Sequence, residues 1–171
     1  MNGFVAYDTS TESKRPVVLI VHEWWGISDY VKSRTKQLAG MGYLAMAVDL
    51  YGNGKTAEDP DGASKLAQPF YENPQLAKSH FDAALNKIKS YPQADTTRIA
   101  AIGYCFGGGM VLNFARLGED LKGVVSFHGS LLGVPAKKEL LKADCVLISD
   151  TAMLSLETPS IDTGVRGLSY I

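Results

Sequence analysis

Ile99-Ala-Ala-Ile-Gly-Tyr-Cys-Phe-Gly-Gly-Gly-Met110 joins a run of apolar residues directly to a glycine-rich turn and a helical pattern. The apolar residues that follow have the spacing of one buried helix face: Met110, Val111, Phe114 and Ala115. The segment therefore predicts a buried strand, a tight turn and a helix, with Cys105 at the apex of the turn. Glycines on both sides of the apex permit the strained backbone that such a turn requires.

Cys105 occupies the position of the nucleophile in the pattern Gly-x-Ser-x-Gly, with cysteine in place of serine. In such a turn the side chain stands above the sheet, and the N–H of the next residue, here Phe106, points to the same place. The amino end of the following helix favours thiolate over thiol. The pattern thus indicates an activated thiol. An inert core cysteine in a glycine-rich turn is the alternative.

Strands and helices alternate on both sides of this segment. The runs Pro16–Val21 and Tyr43–Val48 are continuously apolar, which is typical of strands covered on both faces. Gly123–His128 and Cys145–Ile148 predict two more strands, and Phe4–Tyr7 predicts a short outer strand. This alternation predicts a three-layer, doubly wound α/β fold with a mostly parallel sheet and helices on both faces.

Two further helices are predicted between the strands. The first has Ser28 or Asp29 as its N-cap and ends at Gly40 and Gly42. Its buried side is predicted to hold Val31, Leu38 and Met41. The second begins at Asn73-Pro74 and has one apolar face: Ala77, Phe81, Ala84, Leu85 and Ile88. Residues 51–62 are rich in turn formers and are predicted to be a loop.

Polar side chains follow several of the predicted strands, at the carboxyl edge where parallel sheets bind ligands. They are His22, Glu23, Asp49, Cys105, His128 and Asp150. A carboxylate at Glu23, partly desolvated by Trp24 and Trp25, could accept the proton of the thiol. A solvated loop carboxylate is the alternative for Glu23, and plain packing is the alternative for the tryptophan pair.

Structural roles are predicted for three other polar residues and one cysteine. His22 precedes Glu23 and should point to the opposite side of its strand. His80 is predicted to be a surface or rim residue of its helix, and Asp49 to accept hydrogen bonds from loop N–H groups. Cys145 lies inside an apolar run and is predicted to be in the core.

Length and composition limit the classes of function. A chain of 171 residues fits a single domain, 1–171, with a substantial core. Its net charge of -1 gives no reason to expect a nucleic acid or an anionic membrane as partner. No apolar run near the start is long enough to span a bilayer and no signal-peptide cleavage site is seen, so a cytoplasmic protein is expected. No His/Cys/Asp grouping has ligand spacing, so neither a metal nor a cofactor is expected.

Four motifs resemble those of the dienelactone hydrolase family, which has the α/β-hydrolase fold. They are Val21-His-Glu-Trp-Trp-Gly26, Gly42-Tyr43 with Asp49-Leu-Tyr-Gly52, Ile102-Gly-Tyr-Cys-Phe-Gly-Gly108 and Val125-Ser-Phe-His-Gly129. The resemblance covers about residues 3–143. It implies a hydrolase that attacks the carbonyl of a small ester or lactone with a cysteine thiolate. Cys105 then matches the family nucleophile, and Glu23 matches the glutamate that contacts the resting thiol. The backbone N–H groups of Phe106 and Trp24 match its oxyanion donors.

The last part of the sequence departs from the family pattern. The family histidine follows the acid late in the chain, whereas the three histidines here are His22, His80 and His128. Asp150 is a weak candidate for the acid because it lies closer to its strand than the motif requires. His128 is a weak candidate for the base, with a structural role as the alternative. Residues 150–171 are interpreted as an atypical C-terminal tail, and the fold is expected to lack its usual last strand and helix.

Without the family histidine, weak or stalled turnover is expected, because acid–base assistance is typically worth about 10²–10⁴-fold. A catalytically inactive remnant that binds a small molecule or has a structural role is the alternative function. A redox sensor that forms a sulfenic acid at Cys105 is a third, although no resolving cysteine is evident. A sheet without its last strands would expose an apolar edge, through which a homodimer could form.

Overall fold

The computed structural model describes residues 2–148. Its strands are β1 (Phe4–Ala6), β2 (Arg15–Val21), β3 (Leu44–Val48), β4 (Ala94–Tyr104), β5 (Gly123–Phe127) and β6 (Asp144–Ile148). Its helices are α1 (Asp29–Gly40), α2 (Pro60–Glu72), α3 (Pro74–Lys89) and α4 (Phe106–Arg116), with a 3₁₀ turn at Lys138–Leu140. The strands form one sheet in the order β1-β3-β2-β4-β5-β6. β1 pairs antiparallel with β3 and the other pairs are parallel, so the predicted α/β fold with a mostly parallel sheet is confirmed.

The core lies on both faces of β2, as its continuous apolar run predicts. Val17, Leu19 and Val21 face a large apolar cluster that includes residues of α2, α3 and α4. Val18 and Ile20 face a second cluster, to which Val31 of α1 belongs. The sheet is therefore the middle of three layers. Because β2, β3 and β4 are parallel neighbours, their carboxyl ends lie at the same edge of the sheet.

Helix α1 begins where its cap was predicted but buries different residues near its end. Ser28 is the N-cap, and its hydroxyl oxygen accepts a hydrogen bond from the Val31 N–H at 3.4 Å. The prediction for Met41 is wrong, because this side chain is 66% exposed. Met41 is already the C-cap residue, and the chain turns away at Gly42 with φ +94°.

The loop predicted at residues 51–62 is wrong at its end, because α2 begins at Pro60. Asp59 caps this helix, since its carboxylate accepts a hydrogen bond from the Gly62 N–H at 2.7 Å. The turn-forming residues are therefore the start of a helix. α2 buries Ala63, Ala67 and Phe70 on its inner face. The next residue, Tyr71, packs its ring against that of Phe106 at the start of α4.

The prediction that Cys145 is a core residue is wrong. β6 does pair with β5, as predicted, but it is the edge strand of the described sheet and its residues, Cys145 included, are exposed. Burial of an edge strand depends on what packs against it, which an apolar run alone does not specify. Asp150, the tail 150–171 and the expected absence of a last strand and helix lie outside the described residues. Within residues 2–148, no helix has both the length and the apolar character needed to cross a bilayer.

Candidate active site

Cys105 forms the whole turn between β4, which ends at Tyr104, and α4, which begins at Phe106. Its backbone lies in the left-handed region, with φ 52° and ψ -113°. A non-glycine residue held there costs about 1–3 kcal/mol, so neighbouring contacts must impose the conformation. Its N–H donates to the Phe127 carbonyl at 2.9 Å, and its carbonyl accepts from the Gly109 N–H at 3.2 Å. The predicted strand, turn and helix are confirmed, and the thiol is half-buried at the apex.

Two glycines allow the turn to pack against its neighbours. A Cβ atom at Gly103 would collide with the backbone of Gly107, and one at Gly107 would collide with the carbonyl oxygens of Val21 and His22. The first turn of α4 therefore lies directly on the end of β2. This contact brings the residues that follow β2 next to the Cys105 turn.

The segment after β2 is a tight turn in which three successive carbonyl groups accept hydrogen bonds. The Glu23 carbonyl accepts from the Gly26 N–H at 3.3 Å, and the Trp24 carbonyl accepts from the Tyr51 hydroxyl at 2.9 Å. The Trp25 carbonyl accepts from the Ala57 N–H at 3.0 Å. Gly26 has φ +89°, and a side chain there would strike the Lys55 carbonyl. The turn that carries Glu23 is thus a fixed structure rather than a free loop.

The surroundings of the Cys105 thiol raise its pKa and so favour the protonated form. Burial raises this pKa, the Phe106 N–H lowers it, and the negative charge of Glu23 raises it further. The Phe106 N–H at the start of α4 thus acts in the predicted direction, while burial and Glu23 act against it and leave the pKa above its ordinary value. The charge of Glu23 therefore acts on the sulfur, and a direct contact between these two predicted site residues stays a prediction.

Three aromatic rings pack together next to Cys105, and two of them, Tyr51 and Tyr71, are not among the predicted site residues. The ring of Phe106 lies edge-to-face with that of Tyr71 at 5.3 Å between centroids, and tilted against that of Tyr51 at 5.5 Å. Burial raises the pKa values of both tyrosines, and the nearby Cys105 raises them further, so both remain neutral. Tyr71 was missed with α2 itself. The apolar spacing of Ala63, Ala67 and Phe70 was the available signal for that helix.

Asp49, His22 and His80 are buried or half-buried, and each makes hydrogen bonds to the backbone. The carboxylate of Asp49 is buried and accepts hydrogen bonds from the N–H groups of Asn2, Gly52 and Gly54, so its predicted role is confirmed. His22 is completely buried, and burial lowers its pKa. His80 is half-buried, and its Nδ1 lies 2.7 Å from the Leu50 carbonyl oxygen.

His128 follows β5 in an exposed position with φ 43°. It lines an open groove of about 360 Å³ together with Tyr30, Arg34, Tyr104 and Phe127. Arg34 packs over the Tyr30 ring at 5.0 Å, so one wall of this groove carries a fixed cation. The role of His128 as a base stays a prediction.

The sequence matches the dienelactone hydrolase family over residues 1–156. The chain belongs to this family. Among solved structures, the dienelactone hydrolase fold is matched in one titled "m3DLH", with a TM-score of 0.81 and 31% identity over 86% of this chain and 62% of that one. The predicted family resemblance and α/β-hydrolase fold are therefore confirmed.

Two curated relatives are similar to about two thirds of the chain. "Protein usf" of Aquifex pyrophilus is 32% identical over 119 residues, which are 67% of this chain and 51% of that protein. A protein of Methylorubrum extorquens named "Putative carboxymethylenebutenolidase" is 28% identical over 120 residues, which are 69% of this chain and 41% of that protein. The chain thus spans about half the length of the curated relatives it matches.

Proposed function

We propose that this member of the dienelactone hydrolase family is a cytoplasmic thiol hydrolase that attacks the carbonyl of a small ester or lactone with Cys105. One observation carries the proposal. Cys105 is held in the left-handed region between β4 and α4, and the charge of Glu23 and the N–H of Phe106 both act on the pKa of its half-buried thiol. Family membership supports the class of reaction.

In the first step the Cys105 S–H gives its proton to the Glu23 carboxylate as the sulfur attacks the carbonyl carbon of the substrate. Proton transfer must accompany attack because the resting thiol is protonated, and Glu23 is the nearby group with the charge to accept it. The carbonyl oxygen becomes an oxyanion, for which the N–H groups of Phe106 and Trp24 are the proposed donors. One such donor is typically worth about 10²–10³-fold in rate.

In the second step the carbon–oxygen bond of the ester breaks. The leaving oxygen takes the proton from Glu23, and the acyl group stays on Cys105 as a thioester. Hydrolysis of the thioester needs a base that activates water. His22 is completely buried and His80 holds the Leu50 carbonyl, which leaves the exposed His128 as the weak candidate. We therefore propose that this chain acylates faster than it turns over.

Intact-mass measurement after mixing with p-nitrophenyl acetate tests the proposal. The wild-type chain should gain one acetyl group together with a burst of p-nitrophenolate, and Cys105→Ala should gain none. Cys145→Ala is the matched control, because it removes the second cysteine and should keep the adduct. Equal acetylation of the wild type and Cys105→Ala would rule out Cys105 as the nucleophile.

A non-catalytic, small-molecule-binding role is the second candidate, because a buried and protonated thiol is a poor nucleophile in the absence of a proton acceptor. The same measurement separates the two roles. A binding protein would leave p-nitrophenyl acetate intact and carry no acetyl group at Cys105.

A further inference from the structure

We infer that His22 is a positioning residue for acyl transfer: its Nδ1–H fixes the peptide group between Glu23 and Trp24 and so directs the Trp24 N–H to the substrate oxygen. The inference rests on the proposed function and assigns a task to a buried polar side chain for which the proposed reaction has no direct use. It concerns the preorganisation of the site, since His22 does not touch the substrate.

The ring of His22 is fixed inside the protein with a defined proton position. It is completely buried, lies parallel to the Phe106 ring at 6.0 Å, and meets the edge of the Tyr51 ring at 4.7 Å. Its Nδ1 lies 2.5 Å from the Glu23 carbonyl oxygen. A carbonyl oxygen only accepts, so Nδ1 carries the proton and donates. Nε2 is then a buried lone pair without a partner among the described residues.

That unpartnered nitrogen makes the ring a costly way to fill the space. A buried polar atom without a hydrogen bond destabilises the fold, a penalty that an apolar side chain of similar volume would avoid. The one bond that the ring does make, to the Glu23 carbonyl, is therefore the feature that distinguishes histidine from an apolar residue here.

The bond to Glu23 fixes a donor because of peptide geometry. The Glu23 carbonyl and the Trp24 N–H belong to the same peptide group, and in a trans peptide these two bonds point in opposite directions. The described residues contain no cis peptide. His22 makes the shorter of the two bonds to this carbonyl oxygen, at 2.5 Å against 3.3 Å for the Gly26 N–H, and by holding the carbonyl it also sets the direction of the Trp24 N–H. No acceptor for this N–H is found within residues 2–148, which is the reason for assigning it to the substrate oxygen.

The same packed cluster also reaches the second donor. Tyr51, which contacts the His22 ring, holds the next carbonyl, that of Trp24, at 2.9 Å. Phe106, which stacks on His22, carries the other proposed oxyanion donor on its own backbone. The two donors are thus placed by side chains that contact each other, which is the preorganisation that oxyanion stabilisation requires.

Comparing two reactions of the same sulfur tests this inference. Acylation by p-nitrophenyl acetate passes through an oxyanion, whereas iodoacetamide alkylation displaces iodide at a saturated carbon and forms none. His22→Leu fills the space but cannot donate, so its acylation rate should fall by about 10²-fold while alkylation of Cys105 stays within about twofold of wild type. His22→Asn can place an amide N–H where Nδ1 was, so it should keep acylation within about tenfold of wild type.

His22→Gln is the second variant, because its amide reaches the Nε2 position instead and should lose acylation as His22→Leu does. This Asn–Gln contrast retains the test if His22→Leu does not fold, as judged by circular dichroism. Equal acylation rates for the Asn and Gln variants, or equal losses in acylation and alkylation, would overturn the inference. Failure of the proposed function looks different: the wild type itself would then be acylated no faster than Cys105→Ala.

Discussion

Glu23 has two opposing effects on the sulfur of Cys105. Its negative charge raises the pKa of the thiol, which lowers the fraction of thiolate, yet it is also the proposed acceptor of the thiol proton during attack. A reagent that needs only a thiolate and a substrate that needs proton transfer should therefore respond to this carboxylate in opposite directions.

For Glu23→Gln we predict faster alkylation of Cys105 by iodoacetamide and slower acylation by p-nitrophenyl acetate. Loss of the negative charge lowers the thiol pKa, so the midpoint of the alkylation–pH profile should move to lower pH. Loss of the proton acceptor should reduce acylation by about 10²-fold or more. Rates measured between pH 6 and 10 check both signs, with Glu58→Gln, an exposed position, as the control. A midpoint that moves to higher pH would contradict the assigned contact.

A second prediction at a single side chain concerns His22 and the pH dependence of stability. Burial lowers its folded pKa below the unfolded value of about 6.5, so the unfolded chain binds the proton first as pH falls. The stability that comes from keeping His22 neutral is fully present above about pH 6.5 and declines below it, by up to about 1.4 kcal/mol per pH unit. Urea titrations from pH 7.5 to 5 should show a shallower decline in His22→Asn. The same slope in the wild type and in His22→Asn would contradict this linkage.

The first turn of α4 packs so closely on the end of β2 that a side chain at Gly107 would collide with the backbone. Gly107→Ala should lower the free energy of unfolding by about 1–3 kcal/mol, because the new Cβ would press on the backbone carbonyls at the end of β2. Gly40→Ala is the matched control at the end of α1, where nothing lies within 4 Å, and should raise stability by about 0.5–1 kcal/mol. Chemical denaturation of both variants measures the contrast. A neutral Gly107→Ala would mean that α4 does not rest on β2.

These elements also show what could and could not be predicted from the sequence. The turn at Cys105 was predictable because it depends on local glycines, and β2 and β3 because a strand buried on both faces is continuously apolar. The start of α2 was missed because Asp59-Pro60 is typical of loops and of helix starts alike. The burial of Cys145 and the pKa of Cys105 could not be predicted, since both depend on which distant segments pack beside them.

For the chain as a whole, the proposed limit on catalysis is the second half of the reaction. His22 lies in the core, and His80 is hydrogen-bonded to the Leu50 carbonyl. The third histidine, His128, is exposed and directly follows β5. On this proposal, a thioester at the half-buried Cys105 is poorly supplied with a base. If slow hydrolysis of the thioester is due to the lack of a base, a small base added to the solution should speed it up.

We therefore predict that added imidazole accelerates turnover of p-nitrophenyl acetate after the burst, in proportion to its neutral form, while leaving the burst amplitude at one acetyl group per chain. Cys105→Ala measured at each imidazole concentration gives the uncatalysed reaction to subtract.

His128→Asn separates the remaining alternatives. If His128 already serves as the base, this substitution lengthens the lifetime of the acetylated chain and imidazole shortens it again. If it does not, wild type and variant deacylate at the same rate. A burst followed by fast turnover that imidazole does not change would place an efficient base within the chain, and the proposal of impaired deacylation would then be wrong.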